Sequence, residues 1–413
     1  MGRMHRPSRE PSTVAICLAG ALALAVAMGI GRFAFTPLLP LMQREGLLGT
    51  GGGAALAAVN YAGYLLGALS AAHLAAQPRR LVLASLLATA AVTAAAGLVH
   101  AMAAWVLLRG LAGVLSAWVM VGISSWAIGA LARRGRADAG GWVYAGVGLG
   151  IAAAGTLAWW RGASGAAALW QQLGLLALLA AAVVALCWRA NDAAAGGPAA
   201  STPAAAPQAT RVHGGDGGHG GLILSYGLFA FGYILPATYL PAMARTLVDD
   251  PRLFGLAWPV FGAAAALSTL LAGPALARWS RPRVWAVCHL MMAAGCALPL
   301  ASRSGAAIAI AALAVGGSFM VATMAGLQLA RDRAAANPAP LLSRLVAAFA
   351  LGQIAGPLVA WLAAQALGGD GLAPTLGLAT AALLASAAWL HRQPDRQPGA
   401  PDEPRHPAAA PTR

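Results

Sequence analysis

Apolar runs of about twenty residues recur from one end of the chain to the other, broken by short stretches that hold Arg, Pro, Gly and a few acids. Each run is long enough to cross a hydrocarbon core about 30 Å thick as a helix rising 1.5 Å per residue. They lie near 13–43, 53–76, 81–101, 104–131, 141–160, 167–188, 221–244, 254–277, 284–302, 306–330, 343–366 and 373–391. The pattern predicts an all-α integral membrane protein of twelve transmembrane helices. The first run follows Arg3, His5, Arg6 and Arg9 as a secretory signal would. Its apolar core outruns a signal core and further runs follow at once, so it reads as an uncleaved anchor.

Between the sixth and seventh spans, residues 189–221 are dominated by Pro, Gly, Ala and Ser. Such a stretch cannot bury a core and reads as a flexible linker. His213, Asp216 and His219 within it invite a metal reading, but glycine spacers give no rigid geometry, and solvated linker is the better expectation. The expected organisation is a tail at 1–12, a six-helix bundle at 13–188, the linker at 189–221, a second bundle at 222–391 and a disordered tail at 392–413. The sequence also repeats across the linker. Shifted by 201 positions, "GRFAFTPLLPLMQR" (31–44) lies over "GYILPATYLPAMAR" (232–245), with Gly31/Gly232, Leu39/Leu240, Pro40/Pro241, Met42/Met243 and Arg44/Arg245 identical. Two pseudo-symmetric six-helix bundles with a site near midplane follow from a repeat of this kind. Arg32 falls on Tyr233, so the cation belongs to one half only.

Composition sharpens the membrane reading. Of 413 residues 59% are hydrophobic and 9% charged, too little charge for a soluble chain of this length. The net charge of +15 suggests a polyanion partner until its distribution is followed. There is no lysine. With both termini cytoplasmic, inner segments hold 20 Arg against 8 acids, and outer loops hold Arg44, Arg161, Arg245, Arg252 and Arg303 against Glu45, Asp249, Asp250 and Asp370. That bias is the positive-inside rule, so the basicity reads as topology rather than a nucleic-acid site, and the expected location is a bacterial inner membrane with both termini inside. Cys17, Cys187, Cys288 and Cys296 all lie in spans and read as small buried apolar residues. No cofactor and no metal are expected, and without a GxxxxGK[ST] sequence ATP drive is not expected either.

Chemistry inside the membrane is sparse. All twelve acids lie in loops, tails or helix ends, so the usual buried carboxylate of proton-driven carriers is missing. His289 is the one midspan group that titrates near neutrality, with a packed histidine the plainer alternative. Arg32 lies about 28 Å along its helix, too deep to reach water by snorkelling. Its partners must be carbonyls, polar side chains, cavity water or substrate; a cavity cation for an anionic solute is the favoured reading, and a structural cross-link its rival. Arg109 is shallower. Asn60 and Tyr64 share a face of span 2, with Tyr61 adjacent. Tyr226, Tyr233 and Tyr239 in span 7, and Gln328 and Gln353 in spans 10 and 11, are further candidates. The expected substrate-binding set is Arg32, Asn60, Tyr64, Arg109, Tyr233, Gln328 and Gln353. Trp118, Trp126 and Tyr144 fit either a cavity wall or plain packing. For close helix contact or gating, span 5 offers Gly141, Ala145, Gly148, Ala152 and Gly155 on one face, and span 11 offers Gly352, Gly356 and Pro357.

Twelve spans in two halves with a central linker resemble the major facilitator superfamily. "GIGRFAFTPLLPLM", "NYAGYLLGAL" (60–69) and "LLRGLAGVLSAW" (107–118) resemble its YbfB/YjiJ-type transporters, over about residues 13–391. The resemblance implies that Arg109 with Gly113 forms the RxxxG element often linked to coupling. It also implies that Gly67 with Arg79–Arg80, and Gly273 with Arg278 and Arg281, form the two cytoplasmic gating loops, although Ala277 stands where the second motif usually has Asp.

Together these readings predict a secondary transporter, not an enzyme, moving a small solute by alternating access, with an organic anion as the leading substrate. An exporter of amphipathic compounds is the alternative within the class. An intramembrane enzyme fails for want of a nucleophile and base in reach, and a channel for want of a charged ring. Expected partners are the small-molecule substrate, membrane lipid and a coupling proton, with no nucleic acid.

Overall fold

A computed structural model describes residues 12–74, 77–194, 219–247, 255–302, 304–334, 339–367 and 371–393. Most of the 189–221 linker, including His213 and Asp216, lies outside the described residues, as do the tails at 1–11 and 394–413 and the side chain of Tyr239. Among the described residues the chain is helical throughout, with twelve helices long and apolar enough to cross a membrane. They are α1 (Thr13–Arg44), α2 (Gly51–Ala71), α3 (Pro78–Ala95), α4 (Met102–Leu131), α5 (Gly140–Ser164), α6 (Ala166–Arg189), α7 (Gly220–Thr238), α8 (Ala257–Leu276), α9 (Arg281–Ala301), α10 (Gly305–Ala330), α11 (Arg344–Leu367) and α12 (Leu372–His391). Every run in the sequence coincides with one of them. One boundary moves: the helix beginning at Ala166 continues to Ala194, past the expected linker start at 189, because "RANDAA" holds no breaker.

The helices alternate in direction, as paired ends show. Glu45, just after α1, accepts the backbone N–H of Ala166 at 3.1 Å and so caps α6. At the opposite face Arg79, near the start of α3, lies over the Trp126 and Trp188 rings at the ends of α4 and α6. Below, the two faces are the α1–α2 face and the terminal face.

Glycines set how closely the helices approach. A Cβ on Gly63 would strike the backbone of Gly110, and one on Gly113 the carbonyl of Asn60, so α2 and α4 touch backbone to backbone. The first and second halves of the chain meet along α5 and α8. Gly155 packs on Trp258 and Pro259, Gly148 and Gly262 lie on each other's helix, and Gly141 meets the carbonyl of Thr269. The five-residue small face read from the sequence is this seam. It runs the length of α5 because a 4-3-4-3 spacing keeps its members on one side of a helix.

Helix α1 is not uniform. An α-helical segment Thr13–Leu24 passes into a π-helical stretch, Ala25–Phe33, and returns to α-helix at Phe35–Arg44. The wider turn leaves carbonyls without their usual partners, and neighbouring side chains supply donors. Ser116 Oγ donates to Ala27 O at 2.7 Å, and the Arg109 guanidinium donates from Nη1 to Gly31 O and from Nη2 to Arg32 O, both at 3.2 Å. Gly29 lets α1 lie against the backbone of Gly150 here. A second π-helical turn, Ser124–Ile128, interrupts α4 where Ser124 Oγ is 2.9 Å from the Tyr144 hydroxyl.

Candidate functional site

The π-helical stretch delivers Arg32 to the contact between the two halves of the chain. Arg32 is 2% exposed. Its Nη2 donates to the side-chain oxygen of Gln353 on α11, and Gln353 Nε2 in turn donates to the Tyr233 hydroxyl on α7. The guanidinium lies over the Tyr64 ring at 4.0 Å, with Tyr61 and Phe33 at 5.5 and 5.4 Å. These aromatic faces hold the cation without neutralising it. Its Nε and Nη1 have no hydrogen-bond partner among the described residues. No acid occurs in any of the twelve spans, so the positive charge is uncompensated by the protein.

Beside Arg32 lies a cavity of about 150 Å³. Its wall comes from the second part of α1 (Phe33, Phe35, Thr36, Leu39, Pro40, Gln43), from α2 (Gly53, Ala54, Ala57, Tyr61), and from Arg109, Thr238 and Pro357. These residues run from the Arg32 level toward the α1–α2 face. The two arginines close the inner end, and the remainder of the wall is mostly hydrocarbon.

The expected binding residues divide by what they touch. Arg32, Gln353, Tyr233 and Tyr64 form one connected group, while Arg109 lines the cavity but has both terminal nitrogens committed to α1 carbonyls. Arg109 therefore braces the segment that carries Arg32, with the Phe35 ring 4.6 Å from its guanidinium carbon. Two of the expected set lie outside both the connected group and the cavity wall. Asn60 is fully buried and spends its amide on Arg109 O at 2.9 Å, tying α2 to α4 outside the cavity wall. Gln328 sits half-buried near the terminal-face end of α10, away from that wall, because its position is two turns past the level of the site. Tyr61, set beside the main group in the sequence, lines the cavity and meets the Thr238 hydroxyl of α7. Thr238 and Phe35 carried no signal: a threonine and a phenylalanine in an apolar run look like filler.

The glycines and gating residues sort similarly. Gly67 packs on Val114 and Ala117, Gly352 on the backbone of Gly227 and Phe231, and Gly356 on Ile234, while Pro357 lines the cavity. Gly273 has nothing within 4 Å of its absent side chain among the described residues and makes no packing contact there. Arg278 is exposed, and Arg281 Nε pairs with Asp332 at 3.1 Å. Burial raises the Asp332 carboxyl above the usual carboxylate range, against the pull of Arg281. Between α4 and α5, Arg136 binds Asp138 through Nε and Nη2 at 3.1 and 3.2 Å and holds its carboxyl below that range. Both acids are remote from the cavity. His289 is fully buried in the second half, its ring 5.9 Å from Phe229 and 5.6 Å from Trp285, and does not reach the cavity. Tyr226 is taken up by the same aromatic packing, against Phe229, Trp285 and Phe349. Trp118 donates to Ser70 Oγ at 2.9 Å and so ties α4 to α2.

Twelve apolar helices around a buried, charged pocket define a multi-pass membrane transporter of the major facilitator kind. Residues 24–391 match the family described as "Uncharacterised MFS-type transporter YbfB", and the chain belongs to that family. No curated protein matches the chain.

Proposed function

We propose that the protein is a secondary transporter of a small organic anion, seated in a bacterial inner membrane with both termini in the cytoplasm. In this reading the bundles 13–188 and 222–391 rock about the contact between Arg32 and Gln353, exposing the cavity to each side in turn. One observation carries the substrate class: Arg32, buried with two nitrogens unpartnered among the described residues, lines a cavity between membrane spans that contain no acid. Low dielectric strengthens its attraction for an anion, and its planar fork can take a carboxylate through two hydrogen bonds. The absence of carboxylates from the spans also leaves an organic cation without a counter-charge. The hydrogen bond to Gln353 favours the second reading, in which Arg32 is a structural cross-link.

Substitution at Arg32 separates the two. If Arg32 seats the solute, Arg32→Gln yields folded carrier whose anion affinity falls by about 30-fold to several thousand-fold, the equivalent of roughly 2–5 kcal/mol. Arg32→Lys keeps the charge and loses the fork, so weak binding remains. If both variants fail to fold, the cross-link reading is correct. If Arg32→Gln binds and transports the solute normally, the anion reading falls.

A further inference from the structure

Charge and shape together narrow the solute beyond "anion". We infer that it is a small monocarboxylate with a hydrocarbon tail no larger than a benzene ring or a chain of about five carbons, its carboxylate on Arg32. This rests on the reading of Arg32 as the anion seat. The cavity wall holds two cations, engaged to different degrees. Arg109 directs both terminal nitrogens into the carbonyls of Gly31 and Arg32 and leaves only Nε unpartnered, whereas Arg32 keeps Nη1 and Nε unpartnered. The Arg32 guanidinium, the less committed of the two, is the better seat for one carboxylate.

The rest of the wall decides what the carboxylate can be attached to. Away from the arginines the polar side chains are Thr36, Gln43, Tyr61 and Thr238, and the last two meet each other. Leu39, Ala57 and Pro357 typify the remainder. A second carboxylate at the far end of the solute would be buried among these residues, away from both arginines, a position that costs several kcal/mol. A hydrocarbon tail instead gains from leaving water, about 0.8 kcal/mol per CH₂. Volume sets the limit on its length. A cavity of about 150 Å³ with apolar walls is of the size that admits benzene.

The test uses the purified full-length carrier in lipid nanodiscs. Binding is read by calorimetry and by the rise in unfolding temperature that a native-state ligand produces. Probes are benzoate, hexanoate, succinate, inorganic phosphate and neutral benzamide, each against wild type and Arg32→Gln, with Arg32→Lys as the variant that keeps the charge should the glutamine form not fold. The expected result is that benzoate and hexanoate bind wild type at least tenfold more tightly than the other three, and at least 30-fold more weakly after Arg32→Gln. Succinate or phosphate binding as tightly as benzoate, with the same loss on substitution, would overturn the monocarboxylate assignment and leave the anion seat standing. Benzamide binding as well as benzoate, with or without Arg32, would overturn both. Failure of benzoate and hexanoate to bind folded wild type overturns the assignment outright.

Discussion

Gln353→Glu is the most economical perturbation of the site, because it changes one functional group at nearly constant volume. Gln353 is fully buried, accepts from Arg32 and donates to the Tyr233 hydroxyl. A glutamate can keep both contacts, since the tyrosine hydroxyl can turn and become the donor. At a normal hydrogen-bond separation of about 3 Å and an effective dielectric near 20, the new ion pair gains about 5 kcal/mol of Coulomb energy. Desolvating the new carboxylate returns most of that, so the folding stability should move by no more than about 2 kcal/mol either way. Solute binding should respond far more. A tethered carboxylate converts Arg32 into half of a neutral pair, and an incoming anion loses a charge-assisted interaction of about 2–5 kcal/mol. Affinity for benzoate, measured by calorimetry on the nanodisc-embedded carrier, should fall by about 30-fold to several thousand-fold. Gln353→Met supplies the control. It removes one hydrogen-bond partner, lowers stability by about 1–3 kcal/mol and leaves the charge of Arg32 open, so binding persists. A folded Gln353→Glu carrier that binds within threefold of wild type would refute the reasoning. Equal loss in the glutamate and methionine variants would refute it too, by showing that Gln353 itself holds the solute.

Arg109→Gln strips donors from two buried carbonyls of α1, so we expect a loss of about 2–4 kcal/mol in thermal unfolding, while Arg32→Gln stays near wild type; the reverse order of stabilities would exchange the roles given to the two arginines. Gly148→Leu forces apart the α5–α8 seam and should cut proteoliposome counterflow more than tenfold and lower stability by about 1–3 kcal/mol. Gly377→Ala, which meets open space, should leave both unchanged. A cytoplasmic reporter fused after Arg134 or within 195–215 should be active and a periplasmic one silent; the opposite result at either point would invert the proposed orientation.

The architecture was legible because its signal is local and strong. A run of twenty apolar residues has one low-energy option in lipid, a helix that satisfies its own backbone, and each run can be read without knowing its neighbours. The continuation of the sixth helix to Ala194 was missed for a related reason. Beyond the hydrocarbon the composition no longer dictates length, and the described helix runs through Ala194. The site was half legible. Arg32 announced itself by cost, since a cation in an apolar span demands an explanation, and Gln353 and Tyr233 were visible as polar groups in the same kind of setting. Their joining was not visible, because Arg32 and Gln353 are 321 positions apart and nothing in either span names the other. The π-helical stretch was equally hidden. It depends on Ser116 and Arg109, three helices on in sequence, to donate to its unpaired carbonyls.

The internal repeat shows why the site took the form it did. Backbone packing recurs in both halves at offsets of 201 to 203 residues: Gly150 on the carbonyl of Ala25 answers to Gly352 on that of Gly227, and Gly113 on Asn60 answers to Gly316 on Phe261. These contacts need only the absence of a side chain, so duplication keeps them. Polar chemistry does not recur. Arg32 is matched by Tyr233, Asn60 by Phe261, and Arg109, four residues before Gly113, by Ala312, four residues before Gly316. A cation at both equivalent positions would set two uncompensated charges against each other in low dielectric, where repulsion is least screened. One half therefore supplies the charge, a second arginine and an asparagine to brace it, and the other supplies neutral partners in Gln353 and Tyr233. A single fixed charge shared across the contact is what a carrier needs if its solute is to engage both halves at once.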